Sequence, residues 1–251
     1  LHKEYRRQRQ MCIRDRSNRP LSVAILEDKR LLAETTTNVL RNHSTTLMPI
    51  VEDLLKKAAT TIQEIDRFVV AKGPGSYTGL RIGVTTAKTF AFTLNKELVG
   101  VSSLKVLAAN YKNTNRIIVP LFDARRQNVF AGVYRWENGE LVNVMPDRHI
   151  SLEKLQEKLK DNEVVFIGED AIKLEKEISE FFAGEDYIFA EGKDNYPSAM
   201  VLGVLEQKES VVENINDFIP DYLRLTQAEK QWLDKNSDEK IKYVKKFNDQ
   251  L

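Results

Sequence analysis

The ten residues from Lys72 to Arg81, Lys-Gly-Pro-Gly-Ser-Tyr-Thr-Gly-Leu-Arg, constrain the fold more than any other stretch of the chain. Before them, Phe68 to Ala71 is a short apolar run; from Tyr77, within them, to about Asn95 the pattern is helical. Two glycines and a proline at the junction force a tight backbone path, so the segment reads strand, turn, helix, the unit from which α/β folds are built. A glycine-rich turn feeding a helix N-terminus presents unpaired N–H groups, which attract anions. The spacing excludes the common versions of such a site. No Gly-Lys-Ser/Thr follows, as a Walker loop requires, and the third glycine, Gly79, falls one residue late for a dinucleotide fingerprint. Pro74 stands where a nucleophile elbow needs glycine, so Ser76 reads as an N-cap and not as a nucleophile. Two readings stay open: a close-packed corner without ligand, and a phosphate contact through Gly73, Gly75 and Ser76.

Within the helix, Gly79, Gly83, Ala87 and Ala91 recur every four residues, a stripe on which another backbone can approach closely. Leu80, Ile82, Val84, Phe90, Phe92 and Leu94 spread around the other sides, and little beyond Arg81, Lys88 and the threonines is polar. A helix with one buried face has a polar opposite face, so this pattern predicts cover on both sides. Periodicity does not decide whether the stripe lies in the chain's own core or against another subunit.

The flanking segments fill in the α/β pattern. Leu21–Glu27 and Arg30–Thr36 read as two strands joined at Asp28-Lys29. Leu47, Ile50, Val51, Leu54, Leu55 and Ala58 predict a helix over about His43–Ala59, with Pro49 tolerable only near its first turn. Leu98 to Val101 gives a further strand, and Ser102-Ser103 can cap a helix running towards Asn110. After the polar stretch Asn110 to Arg116 the order starts again. Strands are expected at Ile117–Phe122, Val129–Trp136, Leu141–Ile150 and Val164–Ile167, with an Asn138-Gly139 hairpin and helices near Leu152–Leu159, Ala171–Phe182 and Ser198–Glu206. The repetition predicts a duplicated α/β architecture: a first lobe over 17–110, a second over 111–233, an atypical basic segment at 1–16 and a charged tail at 234–251 read as frayed helix or disorder.

Composition narrows the function classes. With 38 basic and 37 acidic residues the formal net charge is +1, too small a field to hold nucleic acid or an anionic membrane, so any RNA contact needs a local patch or a partner. One cysteine, Cys12, provides neither an internal disulfide nor a cysteine zinc site and matches a cytoplasmic location. No apolar stretch approaches the length of a membrane span, and no apolar signal core is visible near the start, which predicts neither insertion nor export.

Four motifs in order carry a family resemblance: Ser17-Asn18 before the hairpin, KGPGSYTGLRIG at Lys72–Gly83, Asp123-Ala124-Arg125-Arg126 after a strand, and Pro220-Asp221-Tyr222-Leu223-Arg224 followed by Ala228-Glu229. Over about Ser17 to Gln231 the chain resembles the bacterial TsaB (YeaZ-like) family, the dimerising partner of the TsaD enzyme in tRNA threonylcarbamoyladenosine synthesis. The resemblance implies a two-lobed, duplicated actin-like and sugar-kinase-like (ASKHA) α/β fold. It also implies a non-catalytic scaffold subunit with no cofactor, which pairs with a TsaD-like transferase through N-terminal helices, works with a TsaE-like ATPase and reaches tRNA through the complex. It leaves homodimer against heterodimer open for the isolated chain. Carried onto this sequence, the docking surface would use Leu47, Ile50, Val51 and Leu54 of the first helix with Gly79, Gly83, Ala87 and Ala91 of the second. The catalytic relative holds its metal with an HxxxH motif after the corresponding helix and strand. Here Ser103 and Leu107 take those positions, and a hydroxyl and an aliphatic group cannot replace two imidazoles. His2, His43 and His149 are not spaced as a ligand pair, and Asp123, beside Arg125 and Arg126, reads as a surface ion pair or a phosphate position.

The start departs from the family, whose first strand ends in Asp-Thr-Ser. Here Arg14-Asp15-Arg16 precedes Ser17, and Arg14 falls where an apolar residue should be buried, so the first strand is expected to be disrupted or replaced. A basic RNA-binding arm, a disordered tail and a sequence or gene-model artefact overwriting the first strand compete for residues 1–16; the abrupt change at Ser17 favours the last. Two other classes compete with the scaffold. An ATP-dependent phosphotransferase of the same fold needs nucleotide and Mg²⁺ loops from both lobes, and the first loop is spoiled. A peptidase-like hydrolase, with Ser76 and His43 as candidates, lacks both elbow and ligand pair.

Overall fold

The computed structural model describes residues 8–14, 21–38 and 43–223. The first sheet holds β1 (Arg9–Arg14), β2 (Leu21–Glu27), β3 (Arg30–Thr37), β4 (Arg67–Gly73) and β5 (Glu97–Ser102), in the order β3-β2-β1-β4-β5. The second holds β6 (Ile117–Asp123), β7 (Asn128–Glu137), β8 (Glu140–Ser151), β9 (Val164–Ile167) and β10 (Tyr187–Phe189), in the order β10-β9-β6-β7-β8. In both, the first strand of the set pairs antiparallel with the second and parallel with the fourth. Read from its own first strand, each half has the same topology, so the fold is the expected duplicated actin-like, sugar-kinase-like α/β architecture.

The alternation of side chains shows why the strands read as continuous apolar runs. Met11, Ile13, Val23, Ile25, Phe68, Val70 and Leu98 face one side of the first sheet, and Cys12, Ala24, Leu26, Val69, Val99 and Val101 face the other. Both faces are covered, which is the condition for such runs. On the first face lie α1 (His43–Lys57) and α2 (Tyr77–Leu94); the other is closed by α7 (Ala199–Leu205) with Val106 of α3 (Ser103–Ala108). On the second sheet, α4 (Leu152–Leu159), α5 (Glu169–Lys173) and α6 (Glu175–Phe181) cover one face, and Leu104, Leu107 and Ala108 of α3 pack on the other. The last helix of each half therefore lies against the sheet of the other half. Burying a leucine contributes about 1.5–3 kcal/mol, so this exchange of α3 and α7 joins the lobes firmly.

Several expectations need correction. The two sheets divide between Ser102 and Ile117, on either side of Asn110, but the expected lobe over 111–233 does not all stay with the second sheet: from Ala199 the chain packs on the first sheet, because that sheet's second face would otherwise stay exposed. The first strand is present, not disrupted. Arg9–Arg14 forms the central strand β1, with Met11, Cys12 and Ile13 fully buried. The arginine content hid it, although Met-Cys-Ile is apolar enough for the middle of the sheet. Pro49 lies past the first turn, inside α1. The expected helix over Ala171–Phe182 divides into α5 and α6, and β10, three residues long, had no visible pattern. The Ser17-Asn18 motif and the tail at 234–251 lie outside the described residues.

One buried charge network ties β1 into place. Glu206, at 0% exposure, accepts from Gln10 Nε2 at 2.7 Å and from Arg67 at 2.6 Å, and Arg67 also pairs with Glu97 at 2.6 Å. A buried carboxylate needs such partners. Beside it, α7 approaches β1 at a glycine: a Cβ on Gly203 would lie 2.6 Å from Cys12 Sγ and 3.0 Å from Leu26. Gly203→Ala should therefore destabilise the chain by about 1–3 kcal/mol in urea unfolding, because overpacking outweighs the gain in helix propensity.

Candidate partner-docking face

The turn between β4 and α2 is built by close packing. Gly73 has φ +121°, a left-handed value, and a Cβ there would strike the carbonyl oxygen of Asp221. A side chain is thus excluded twice, by conformation and by space. At Gly75 a Cβ would meet only Leu80 at 3.6 Å, an ordinary contact. Ser76 is the N-cap residue of α2, as expected, but its side chain makes no capping hydrogen bond. Lys72 pairs with the carboxylate of Asp221 at 3.1 Å, and its carbonyl accepts the Asp221 N–H at 2.7 Å. Of the three residues expected to contact phosphate, Gly73 is buried beneath the chain's own backbone; Gly75 and Ser76 are half-buried.

The small-residue stripe faces inward. Gly79, Gly83, Ala87 and Ala91 are buried with Leu80 and Val84, and Ala87 and Ala91 have no exposed surface. On α1, Leu47, Val51 and Leu54 are likewise buried in the first lobe's core, and Ile50 is half-buried. The expected interface residues, Ile50 apart, are therefore core residues, because a smooth helix surface suits the chain's own sheet as well as another subunit. What α2 offers outward is a different strip. Thr78, Thr85, Thr89 and Thr93 are exposed, Phe92 is 65% exposed and Ile82 is half-buried. In α2, which contains no carboxylate, Arg81 alone among the exposed residues carries a charge. Met48 of α1, 47% exposed, adds a further apolar side chain.

The positions matched to the metal-binding pair of the catalytic relative are core positions. Ser103 is 4% exposed, and Leu107, 1% exposed, packs with Ile118, Phe122 and Val165 of the second lobe. Among the described residues no group of three or more His, Cys, Asp or Glu is placed to hold a metal ion. His149 lies edge-on to Phe130 at 5.5 Å, and the side chains of His2 and His43 are outside the described set. Asp123 accepts the backbone N–H of Arg125 at 2.7 Å, so its bond goes to main chain and not to a guanidinium. The buried Cys12 thiol is pushed well above its ordinary value by burial, with Glu206 and Glu34 adding to the shift, and so stays protonated.

A polar junction that sequence reasoning missed joins the lobes. Ser102 Oγ caps α3 by accepting from Leu104 and Lys105, both at 3.1 Å, and bonds to the carboxylate of Asp147 on β8. The Tyr134 hydroxyl donates to the same carboxylate at 2.5 Å. No residue spacing signals a cluster drawn from β5, β7 and β8. Burial raises the Asp147 pKa, against the lowering effect of the two hydroxyls.

Comparison with known proteins places the chain in a family. The family model for tRNA N6-adenosine threonylcarbamoyltransferase (TsaD) matches residues 30–232. The tRNA threonylcarbamoyladenosine biosynthesis protein TsaB of Bacillus subtilis is 40% identical over 222 residues, covering 88% of this chain and 96% of that protein. The chain belongs to the TsaB family. A TsaB from Buchnera aphidicola of Schizaphis graminum is 26% identical, over 70% of this chain and 86% of its own. YeaZ from Pseudomonas aeruginosa superposes with a TM-score of 0.72 at 23% identity, covering 86% of this chain and all of that one, and shares the fold.

Two outcomes follow for this TsaB-family chain. Ala87→Glu should cost several kcal/mol or prevent folding, since it places an unpaired carboxylate in the core; circular dichroism and urea unfolding read this directly. For Asp147 the sign runs opposite to an ordinary carboxylate: a folded pKa above the unfolded one adds stability in acid and loses it as pH rises through the folded value. Asp147→Asn should remove that decline, so the stability of the variant relative to the parent rises from acid towards neutral pH in parallel denaturant titrations.

Proposed function

We propose that this chain is the accessory subunit of the assembly that makes threonylcarbamoyladenosine in tRNA, binding a TsaD-like transferase and contributing no catalytic residue. The observation that carries the reading is the outward side of α2: an 18-residue helix exposes threonines, Tyr77 and Phe92, with Arg81 its one exposed charge and no carboxylate along its length. A surface of that kind is costly to leave in water and suits a second helical surface. Half-buried Ile50 and exposed Met48 on α1 lie on the adjoining helix of the same sheet face. Reactivity then comes from the partner, in keeping with Ser103 and Leu107 at the positions matched to two imidazoles.

A TsaE-like ATPase, tRNA reached through the complex, a cytoplasmic location and self-association of the free chain through the same strip belong to this reading. Among the described residues, no helix is long and apolar enough to cross a membrane.

Phe92→Asp and Thr85→Arg test the strip without touching the core. Each should abolish association with the TsaD-like subunit in sedimentation velocity while changing unfolding free energy by no more than about 0.5 kcal/mol, as for other surface substitutions. Wild-type association by both variants would sink the proposed interface. The purified chain alone should leave unmodified tRNA unchanged and support threonylcarbamoylation only when the transferase subunit is added.

A further inference from the structure

Beyond the last helix the chain returns along α2 as a strap. Asn214 opens it by accepting the N–H of Asn216 at 3.0 Å, and Ile215–Asp217 makes a short 3₁₀ turn. Lys88 Nζ then donates to the carbonyls of Asn216 at 3.0 Å and Phe218 at 2.7 Å. Phe218 fills the space above Gly100, where a Cβ would lie 2.5 Å from its ring. Asp221 is held by Lys72 as described above, and Arg81 Nε donates to the Tyr222 hydroxyl at 3.1 Å. The Tyr222 ring lies 4.9 Å from that of Tyr77, over which the Arg81 guanidinium sits at 4.1 Å.

These ties follow one flank of α2. Tyr77, Arg81 and Lys88 are separated by four and seven residues, steps that return to the same side of an α-helix. Eleven residues of helix rise about 16 Å, and the four steps from Phe218 to Tyr222 span about 13 Å when extended, so the strap runs along most of the helix between its ties.

Much of the surface that α2 turns to the sheet is small. Four of its six buried residues are Gly79, Gly83, Ala87 and Ala91, which present at most a methyl group. Interlocking ridges of larger side chains normally fix the register of a packed helix, and here the large buried pair, Leu80 and Val84, stands in the first half. In the second half Ala87 and Ala91 are the fully buried positions, Phe90 stacks on Phe68 of β4 at 5.4 Å, and Leu94 packs in part. Lys88 supplies its tie in that half.

We propose that Lys88 is a positioning residue: by gripping the strap it fixes the axial register of α2 and so aligns the outward strip of Ile82, Thr85, Thr89 and Phe92 for the partner. The proposal rests on the docking reading above and adds the element that sets its geometry. Lys88 touches no partner atom in this account; it acts through α2.

The test uses the full chain and its TsaD-like transferase subunit. Lys88→Met keeps the aliphatic stem and removes the donor, and Lys88→Arg restores donors to the same carbonyls. Titration calorimetry should give a dissociation constant about tenfold or more higher for Lys88→Met, the effect of losing charge-assisted hydrogen bonds, and recovery of most of that loss in Lys88→Arg. Amide exchange in the second half of α2 should quicken in the free Lys88→Met protein while the strands keep their protection. Tyr222→Leu loosens the other end of the strap and should weaken binding in the same direction, which keeps the test open if Lys88→Met folds poorly. Unchanged binding by Lys88→Met, or by Tyr222→Leu where that variant must stand in, overturns the strap's role, and abolished binding by Phe92→Asp beside it leaves the docking reading intact. Wild-type binding by Phe92→Asp and Thr85→Arg overturns both.

Discussion

At three places on the first lobe a glycine lets another part of the chain come closer than a Cβ would permit, and all three contacts involve the segment that returns after the second sheet. Gly203 of that segment rests on Cys12, Phe218 rests on Gly100, and the Asp221 carbonyl rests on Gly73. The first sheet has one face covered by α1 and α2, and it is a folded unit only because α7 closes the other. With α3 packed in the opposite sense on the second sheet, each half completes the core of the other. The duplication seen in the strand order is therefore not a division into independent domains.

This exchange also sets what the surface can do. Because the small residues of α2 are turned inward, the helix sits close to its sheet and presents threonines and Phe92 outward. The same glycine turn that raised the expectation of a phosphate site is covered at Gly73 by Asp221, whose carboxylate also takes the charge of Lys72. Two of the four family motifs, Lys72–Gly83 and Pro220–Leu223, thus meet in one structural unit. The unit is a clamp on a helix, and its residue types follow from that: glycine where backbone crosses backbone, lysine and arginine where carbonyl and hydroxyl oxygens need donors.

Where the lobes meet, the hydroxyls of Ser102 and Tyr134 hold the half-buried carboxylate of Asp147. Buried ionisable groups cost stability, and this one stands at the crossing between β5 and the second sheet, where α3 begins. Leu107, one turn further along α3, fills core space, and an imidazole there would be surrounded by aliphatic and aromatic side chains.

The amino-acid sequence by itself determined the α/β class, most strand and helix positions, and the duplicated order, because period-2 and period-3.6 patterns and turn residues act over a few neighbours. It also placed Ser102 as a cap and Gly73 at a tight turn, both local effects. It left β1 unread, since an arginine-rich composition outweighed the short Met11-Cys12-Ile13 run, and it left the side of α2 undecided. Only the tertiary structure decided which way the glycine and alanine stripe faces, which sheet α7 covers, and that Lys88 and Asp221 join segments more than a hundred residues apart. A stripe of small side chains specifies close approach without naming the surface approached, and that choice depends on which apolar face elsewhere in the chain remains to be covered.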